Sequence, residues 1–339
     1  MPMSHDPLDG GPTIHCDQLS GREVFIAPRR AGRPNDLAAG SAERCPFCAG
    51  NEACTAPELL RWPAPAAGRW KARIVPNRYP VVEPFSPAAP APDRRPASVG
   101  PSTTAAHGRH EVVIESPTHV GSVLEVPAAD WRQVWELCRQ RLGEMAAAGD
   151  FCWATVFKNG GLAAGASLEH VHSQLIAIDR VPPVIAEKCR RLSLGKTRFA
   201  DLLDAADAED RTVCRRGGLA ALVPPATRQP FEVWLVPETV EPFFHRAGPE
   251  QIEAVAELTR RFVAALDRLV PGGSYNWWLH QFPTAGAAEI EPLASHWHWH
   301  LEMLPRLAPL AGFELGTGCH IATVLPTTAA RLLRATGCW

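Results

Sequence analysis

Apolar residues recur along the chain with two periods, and the alternation between them predicts its layout. Between residues 13 and 30 apolar and polar positions alternate as far as Phe25-Ile26-Ala27-Pro28-Arg29-Arg30, the pattern of a strand running into a basic turn. A short strand is expected over residues 72–75, closed by Pro76-Asn77-Arg78-Tyr79-Pro80. Residues 110–115 read as a strand. Residues 128–148 read as a helix, because Trp131, Val134, Trp135, Cys138, Leu142 and Met145 fall on one stripe. Strands follow over 152–157 and 170–178. The same order then returns: a strand over 231–236, a helix over 249–270 with Ile252, Val255, Leu258, Phe262, Leu266 and Leu269 inward, and strands over 275–280 and 296–304. A His-x-His pair lies in the last strand of each set. The repetition predicts a duplicated α+β fold, with halves at residues 1–190 and 191–339, each an antiparallel sheet backed by helices.

Composition narrows the function more than the fold. A chain of 339 residues can bury a large core and suits one doubled domain or two domains. Residues 84–101, dense in proline, alanine and serine, are expected as an exposed irregular loop. A net charge of -2 leaves no basic footprint for nucleic acid. No apolar run reaches the ~18 residues of a membrane span, and residues 1–12 are too polar for a signal peptide. A cytoplasmic protein without nucleic-acid or membrane partners is therefore expected. Its ten cysteines read as reduced, mostly small buried hydrophobes. Cys45 and Cys48 stand apart as a Cys-x-x-Cys turn.

The chemistry concentrates in Asn159-Gly-Gly-Leu-Ala-Ala-Gly165-Ala-Ser167-Leu-Glu-His170-Val-His172-Ser-Gln174. Alternate residues of a strand share a face, so His170, His172 and Gln174 would project together toward what the small-residue loop encloses. Such a loop lets backbone N–H groups approach an anion, and an imidazole beside it can attack phosphorus. A bare His-x-His is more often a packed core pair, but Asn159, Gly165, Ser167 and Gln174 are polar or permissive groups suited to phosphate and ribose. The segment therefore suggests nucleotidyl transfer. Cys45 and Cys48 have the reach for two corners of a tetrahedral zinc site; a redox role is the weaker reading, because no thioredoxin-like strand and helix surround them.

With these motifs in view, and with Ala27-Pro-Arg-Arg-Ala-Gly-Arg33-Pro34, Pro76 to Pro80, Glu115-Ser-Pro-Thr-His119 and Gly312-Phe-Glu-Leu-Gly-Thr-Gly318, the chain resembles the galactose-1-phosphate uridylyltransferase family of the histidine-triad superfamily. Within it the chain is most similar to the ADP-glucose phosphorylase-like branch. The resemblance implies that His172 attacks the α-phosphorus of a nucleoside diphosphate hexose, releases hexose 1-phosphate and carries the nucleoside monophosphate, and that Gln174 orients phosphate without activating water. It implies nucleotide or phosphate contacts from Arg30, Arg33, Asn77, Asn159, Gly165 and Ser167, and sugar contacts from Glu314. Where the galactose enzymes' pattern has a glutamine, this chain has His320, which puts galactose 1-phosphate in doubt as acceptor. His119 and His170 would complete the zinc site. His280, His298 and His300 match a second metal site, of iron or zinc, whose glutamate falls on Lys188 with Glu187 one residue before. There Trp297 and Trp299 would form one face and the histidines the other. The leading expectation is a UDP-glucose:hexose-1-phosphate uridylyltransferase-like enzyme, followed by an adenylyl-specific phosphorylase using phosphate, then a non-catalytic nucleotide-binding module. The second half lacks the small-residue loop, so one active site per chain is expected. A homodimer completing that site with a partner's residues is the implied assembly.

Overall fold

The computed structural model describes residues 11–17, 20–32, 45–84, 103–195, 197–284 and 290–339. The alternating stretch at the start forms a hairpin, β1 (Thr13–Cys16) and β2 (Glu23–Ile26), where one strand was expected. Gly21, at a φ of 68°, accounts for the difference: it closes the turn by donating its N–H to the Asp17 carbonyl, 2.8 Å away. β3 (Leu60–Trp62) and β4 (Ala72–Pro76) follow, then β5 (Thr103–Ala105), which joins β1 and β2 in a small sheet. Of the loop expected over residues 84–101, all but Pro84 lies outside the described residues.

The first predicted set is β6 (Gly108–Ile114), α1 (Ala128–Ala148), β7 (Trp153–Gly160) and β8 (His172–Ile178). Between the sets come α2 (Pro183–Ser193), α3 (Phe199–Ala208), β9 (Thr212–Arg216) and β10 (Leu219–Leu222), which the periodicity did not announce. The second set is β11 (Val233–Pro237), α4 (Pro249–Leu269), β12 (Tyr275–His280) and β13 (His300–Pro305), followed by α5 (Gly312–Thr317) and α6 (Pro326–Ala335). α1 stops at Gly149, whose φ of 68° is the left-handed C-cap that glycine favours. Pro249 sits in the first turn of α4, where its missing N–H costs nothing.

Ten strands form one antiparallel sheet in the order β3-β4-β6-β8-β7-β12-β13-β11-β10-β9. The triplets β6-β8-β7 and β12-β13-β11 run in mirrored order about the β7–β12 pairing, which sets Tyr275 opposite Gly160 and Trp278 opposite Phe157. The two halves thus share a sheet. They also share a core: α1 and α4 cover one face, burying Trp131, Trp135, Trp277, Trp299 and Phe262 in a single cluster. Trp131 and Trp135 pack edge to face at 6.2 Å, an arrangement that contributes about 0.5–1.5 kcal/mol beyond its buried area. The Trp131 indole N–H donates to Thr259 Oγ1 at 3.0 Å and so pins α1 to α4. Apolar side chains of α2 and α3 cover part of the opposite face.

Candidate active site and metal centre

β8 begins at His172, so His170 stands just ahead of the ladder. Its Nδ1 lies 3.5 Å from Cys45 Sγ and 3.6 Å from Cys48 Sγ, and His119 Nδ1 lies 3.6 Å from Cys48 Sγ. A tetrahedral ion with metal–sulfur and metal–nitrogen bonds of about 2.3 and 2.05 Å separates those donors by about 3.6 Å. All four donor atoms lie within 4.8 Å of one another. The His170 ring donates Nε2–H to the Ser116 carbonyl at 2.9 Å, which turns the Nδ1 lone pair to the sulfurs. His119 Nε2 faces the Glu169 carboxylate at 3.7 Å, outside hydrogen-bond reach. Burial and the adjoining Cys45 thiol push the Cys48 thiol up to about 11. A cation among the four would offset the cost of ionising both thiols in that setting. These residues can hold a metal ion.

His172 lines a cleft of about 310 Å³ together with Phe47, Asn77, Arg78, Ser167 and Gln174. Its Nδ1 is 2.8 Å from the carbonyl of His170, the acceptor in the preceding segment that a phosphorus nucleophile needs. The Phe47 ring lies 5.9 Å from the His170 ring and 5.4 Å from that of His172, filling the space between metal cluster and cleft. A larger, open depression beside Arg215, Arg216 and Glu250 has neither histidine nor cysteine among its lining residues.

Gln174 is oriented by a residue that the sequence reading missed. The Val81 N–H donates to His110 Nδ1 at 3.2 Å, so the ring proton belongs on Nε2, and that N–H donates to Gln174 Oε1 at 2.8 Å. Asn77 Nδ2 donates to the same oxygen at 3.3 Å. With its carbonyl taken twice, the Gln174 amide turns its NH₂ the other way. His110 lies in a strand read only for its apolar positions, so no local signal separated it from a packed residue.

The face of the sheet opposite the cleft holds a buried ion pair, also missed. The Lys158 ammonium bonds the Glu115 carboxylate, donates to the His172 carbonyl at 2.8 Å and lies 5.8 and 5.7 Å from the rings of Trp131 and Trp277. Ser173 Oγ donates to the other Glu115 oxygen at 2.5 Å. Burial pushes the carboxyl up and the ammonium down, each opposed by the other's charge. The pair clamps the β8 backbone at His172.

Other expected residues are placed unevenly. Arg30 reaches the cleft's edge indirectly, donating to the Tyr79 carbonyl at 2.5 Å, while Arg33 lies outside the described residues. Ser167 lines the cleft; Asn159 and Gly165 do not figure among its lining residues. Asn276 instead ties Asn159 to the loop, donating to Asn159 Oδ1 at 2.8 Å and to the Ala164 carbonyl at 2.9 Å. Gly165 ends that loop at a φ of 81°, a backbone a side chain would strain. Glu314, on α5, is half-buried and His320 is exposed, and neither lines the cleft.

The second histidine cluster differs from expectation. β13 begins at His300, so residues 297–299 do not alternate as a strand; Trp297 lies beside His300 at 6.0 Å while Trp299 packs against Phe244 at 5.0 Å. His298 turns away, bonding the Pro237 carbonyl at 2.7 Å and stacking on Phe199. Glu302 takes its place beside His280 and His300. Glu187 does not supply the carboxylate either, because on the exposed side of α2 it is bound by Arg190 and Arg191.

A family model described as galactose-1-phosphate uridyl transferase, N-terminal domain, matches residues 12–182, the half that carries this site. The chain belongs to that family. It is a nucleotidyltransferase of the family's type, and its mixed α+β fold is the family's. A domain model of unknown function matches residues 143–335. The chain is 29% identical over 334 residues to ADP-glucose phosphorylase of Arabidopsis thaliana, covering 95% of this chain and 92% of that protein. It is 26% identical over 275 residues to galactose-1-phosphate uridylyltransferase of Thermotoga maritima, covering 77% and 83%. The crystal structure of the Arabidopsis phosphorylase with bound ADP-glucose superposes with a TM-score of 0.74 at 28% identity, covering 96% of this chain and 99% of that one. Among the described residues, no helix of this family member is long and apolar enough to cross a membrane.

Proposed function

We propose that this chain moves a nucleoside monophosphate from a nucleoside diphosphate hexose to an acceptor through a covalent intermediate on His172. The observation that carries the reading is the commitment of His172 Nδ1 to the His170 carbonyl inside a cleft shared with Gln174. With Nδ1 so engaged, Nε2 attacks the α-phosphorus. The bond from that phosphorus to the bridging oxygen breaks, hexose 1-phosphate leaves, and a P–N bond holds the nucleotide. An acceptor oxygen then attacks the same phosphorus, breaks the P–N bond and returns the imidazole. Gln174, oriented by His110 and Asn77, donates to a non-bridging oxygen as charge develops, and Ser167 and Arg78 are further donors lining the same cleft.

Between the two expected chemistries, adenylyl transfer from ADP-glucose to phosphate is favoured over uridylyl transfer, because the likeness to the Arabidopsis phosphorylase spans 95% of the chain. Incubation with ADP-glucose or UDP-glucose followed by intact mass tests this: an AMP adduct is expected, and His172→Gly should abolish it. A UMP adduct would reverse the nucleotide assignment. Steady exchange without any adduct would overturn the covalent step, and neither adduct nor exchange would indicate a binding module.

Zinc is the ion proposed for Cys45, Cys48, His119 and His170, since two thiolates and two imidazoles at this spacing suit it. It would supply charge and a crosslink, holding in place the segment whose carbonyl engages His172. Glu314 and His320 are proposed to reach the sugar from a second copy of the chain, since neither lines this chain's cleft and both lie on a segment that exposes Phe313, Leu315 and Ile321. A mixed dimer of His172→Gly and Glu314→Ala chains should then recover activity that neither variant has alone. The cytoplasm is the proposed compartment.

A further inference from the structure

The His-x-His strand opening occurs twice with one geometry, and the two copies differ in what meets the second ring nitrogen. In the first half His172 Nδ1 is 2.8 Å from the carbonyl two residues back, and in the second His300 Nδ1 is 2.9 Å from the carbonyl of His298. In the second half a cation already stands at Nε2. Lys188 Nζ, from α2, lies 2.6 Å from His300 Nε2, 2.8 Å from His280 Nδ1 and 2.6 Å from Glu302 Oε1. Those atoms belong to the residues that would otherwise hold a second metal ion.

An ammonium has three N–H donors and no acceptor, so three acceptors converging on Nζ satisfy it completely. Its indifference to coordination geometry lets it fill the space that a bare dication would need. Charge points the same way. Glu302 also accepts from Arg228 Nη2 at 2.6 Å, Arg228 pairs with the buried Glu232, and Lys188 lies 5.0 Å from the Trp234 ring. Two carboxylates thus face two fixed cations, and a divalent ion added to this cluster would leave an uncompensated buried charge.

We propose that the ammonium of Lys188 occupies the second cation position, so that the chain carries one metal ion, in the Cys45 cluster, and braces its second half without metal. The brace ties α2 to β12 and β13 and covers the Nε2 of His300, the counterpart of the reactive nitrogen in the first half. That gives a physical reason for one transfer site per chain. Only the remark on one transfer site rests on the nucleotidyl-transfer reading; the metal-free brace stands apart from it, because its test reads metal content and not turnover.

The full chain is purified, incubated with excess Zn²⁺ or, anaerobically, Fe²⁺, desalted and analysed for metal per chain. Wild type is expected to retain one equivalent, and His300→Gln the same equivalent. Lys188→Glu, which restores a carboxylate in place of the ammonium, is expected to retain two. Two equivalents in wild type, loss of the one in folded His300→Gln, or a single equivalent in folded Lys188→Glu would each overturn the proposal. Folding of both variants is checked by circular dichroism. If neither variant folds, the wild-type chain with the Cys45 cluster blocked by a thiol alkylating reagent decides the matter: no retained metal supports the brace, and one retained equivalent refutes it.

Discussion

Replacing Lys158 with Met keeps the length and most of the volume of the side chain while removing its charge, so it isolates what the buried ammonium does. Lys158 and Glu115 are 3% and 0% exposed. In Lys158→Met the Glu115 carboxylate would keep Ser173 as its remaining donor, and the His172 carbonyl would lose the bond it accepts at 2.8 Å. Breaking one side of a buried ion pair costs about 3–5 kcal/mol, because the other charge is left uncompensated. Against a total stability of about 5–15 kcal/mol for a folded domain, that loss is large and measurable. Urea unfolding followed by the fluorescence of the protein's eleven tryptophans measures it, since Trp131 and Trp277 flank the ammonium. The double variant Lys158→Met/Glu115→Gln removes both charges, leaves Ser173 an acceptor, and should recover at least about 2 kcal/mol of the loss through the coupling between the sites. A single-variant loss below about 1 kcal/mol, or strict additivity in the double variant, would refute the claim that an ion pair clamps β8.

Further outcomes are expected at the neighbouring sites. Cys45→Ser should lose the bound metal and lower the melting temperature together; a metal-free wild type of equal stability would remove the structural role given to the cluster. His110→Phe should lower kcat by about 10²-fold with little change in KM, because the Gln174 amide is no longer held in register with phosphorus; a loss confined to KM would place His110 in sugar or nucleotide binding instead. Stability should fall on acidification. Burial, and then the charge of Lys188, hold His300 down to about 3, below the unfolded histidine value near about 6.5. The unfolded chain therefore binds the proton first, and folding free energy declines as pH drops from the unfolded value toward the folded one, by up to about 1.4 kcal/mol per unit for this group. His300→Gln should show a shallower slope across that window in urea midpoints; an unchanged slope would assign the acid sensitivity elsewhere.

The parts of the site legible in the sequence are those written in short spacing. His172 and Gln174 are two residues apart on one strand, Cys45 and Cys48 share one turn, and the stripes of α1 and α4 repeat at helical period; each is settled by neighbours in the chain. Local pattern failed where several elements must be known at once. The His296 to His300 alternation looked like a strand from its residue types, yet residues 291–296 are a 3-10 turn and the ladder starts at His300, because pairing with β12 begins there. Lys188 looked like a lost ligand, and His110 and Lys158 like ordinary strand residues.

The reach of the sequence and that of the tertiary structure divide along this line. The sequence by itself determined the α+β class and the repeated order of strands and helix, and it marked Cys45, Cys48 and His172 as candidates for chemistry, since period and spacing are properties of adjacent residues. Only the tertiary structure decided that Lys188 stands among His280, His300 and Glu302, that His110 orients Gln174, and that Lys158 grips the strand of His172. Those partners are 14 to 114 positions apart in the chain. Their meeting depends on strand order and register, above all on the β7–β12 pairing that joins the two halves into one sheet, and no local period encodes it.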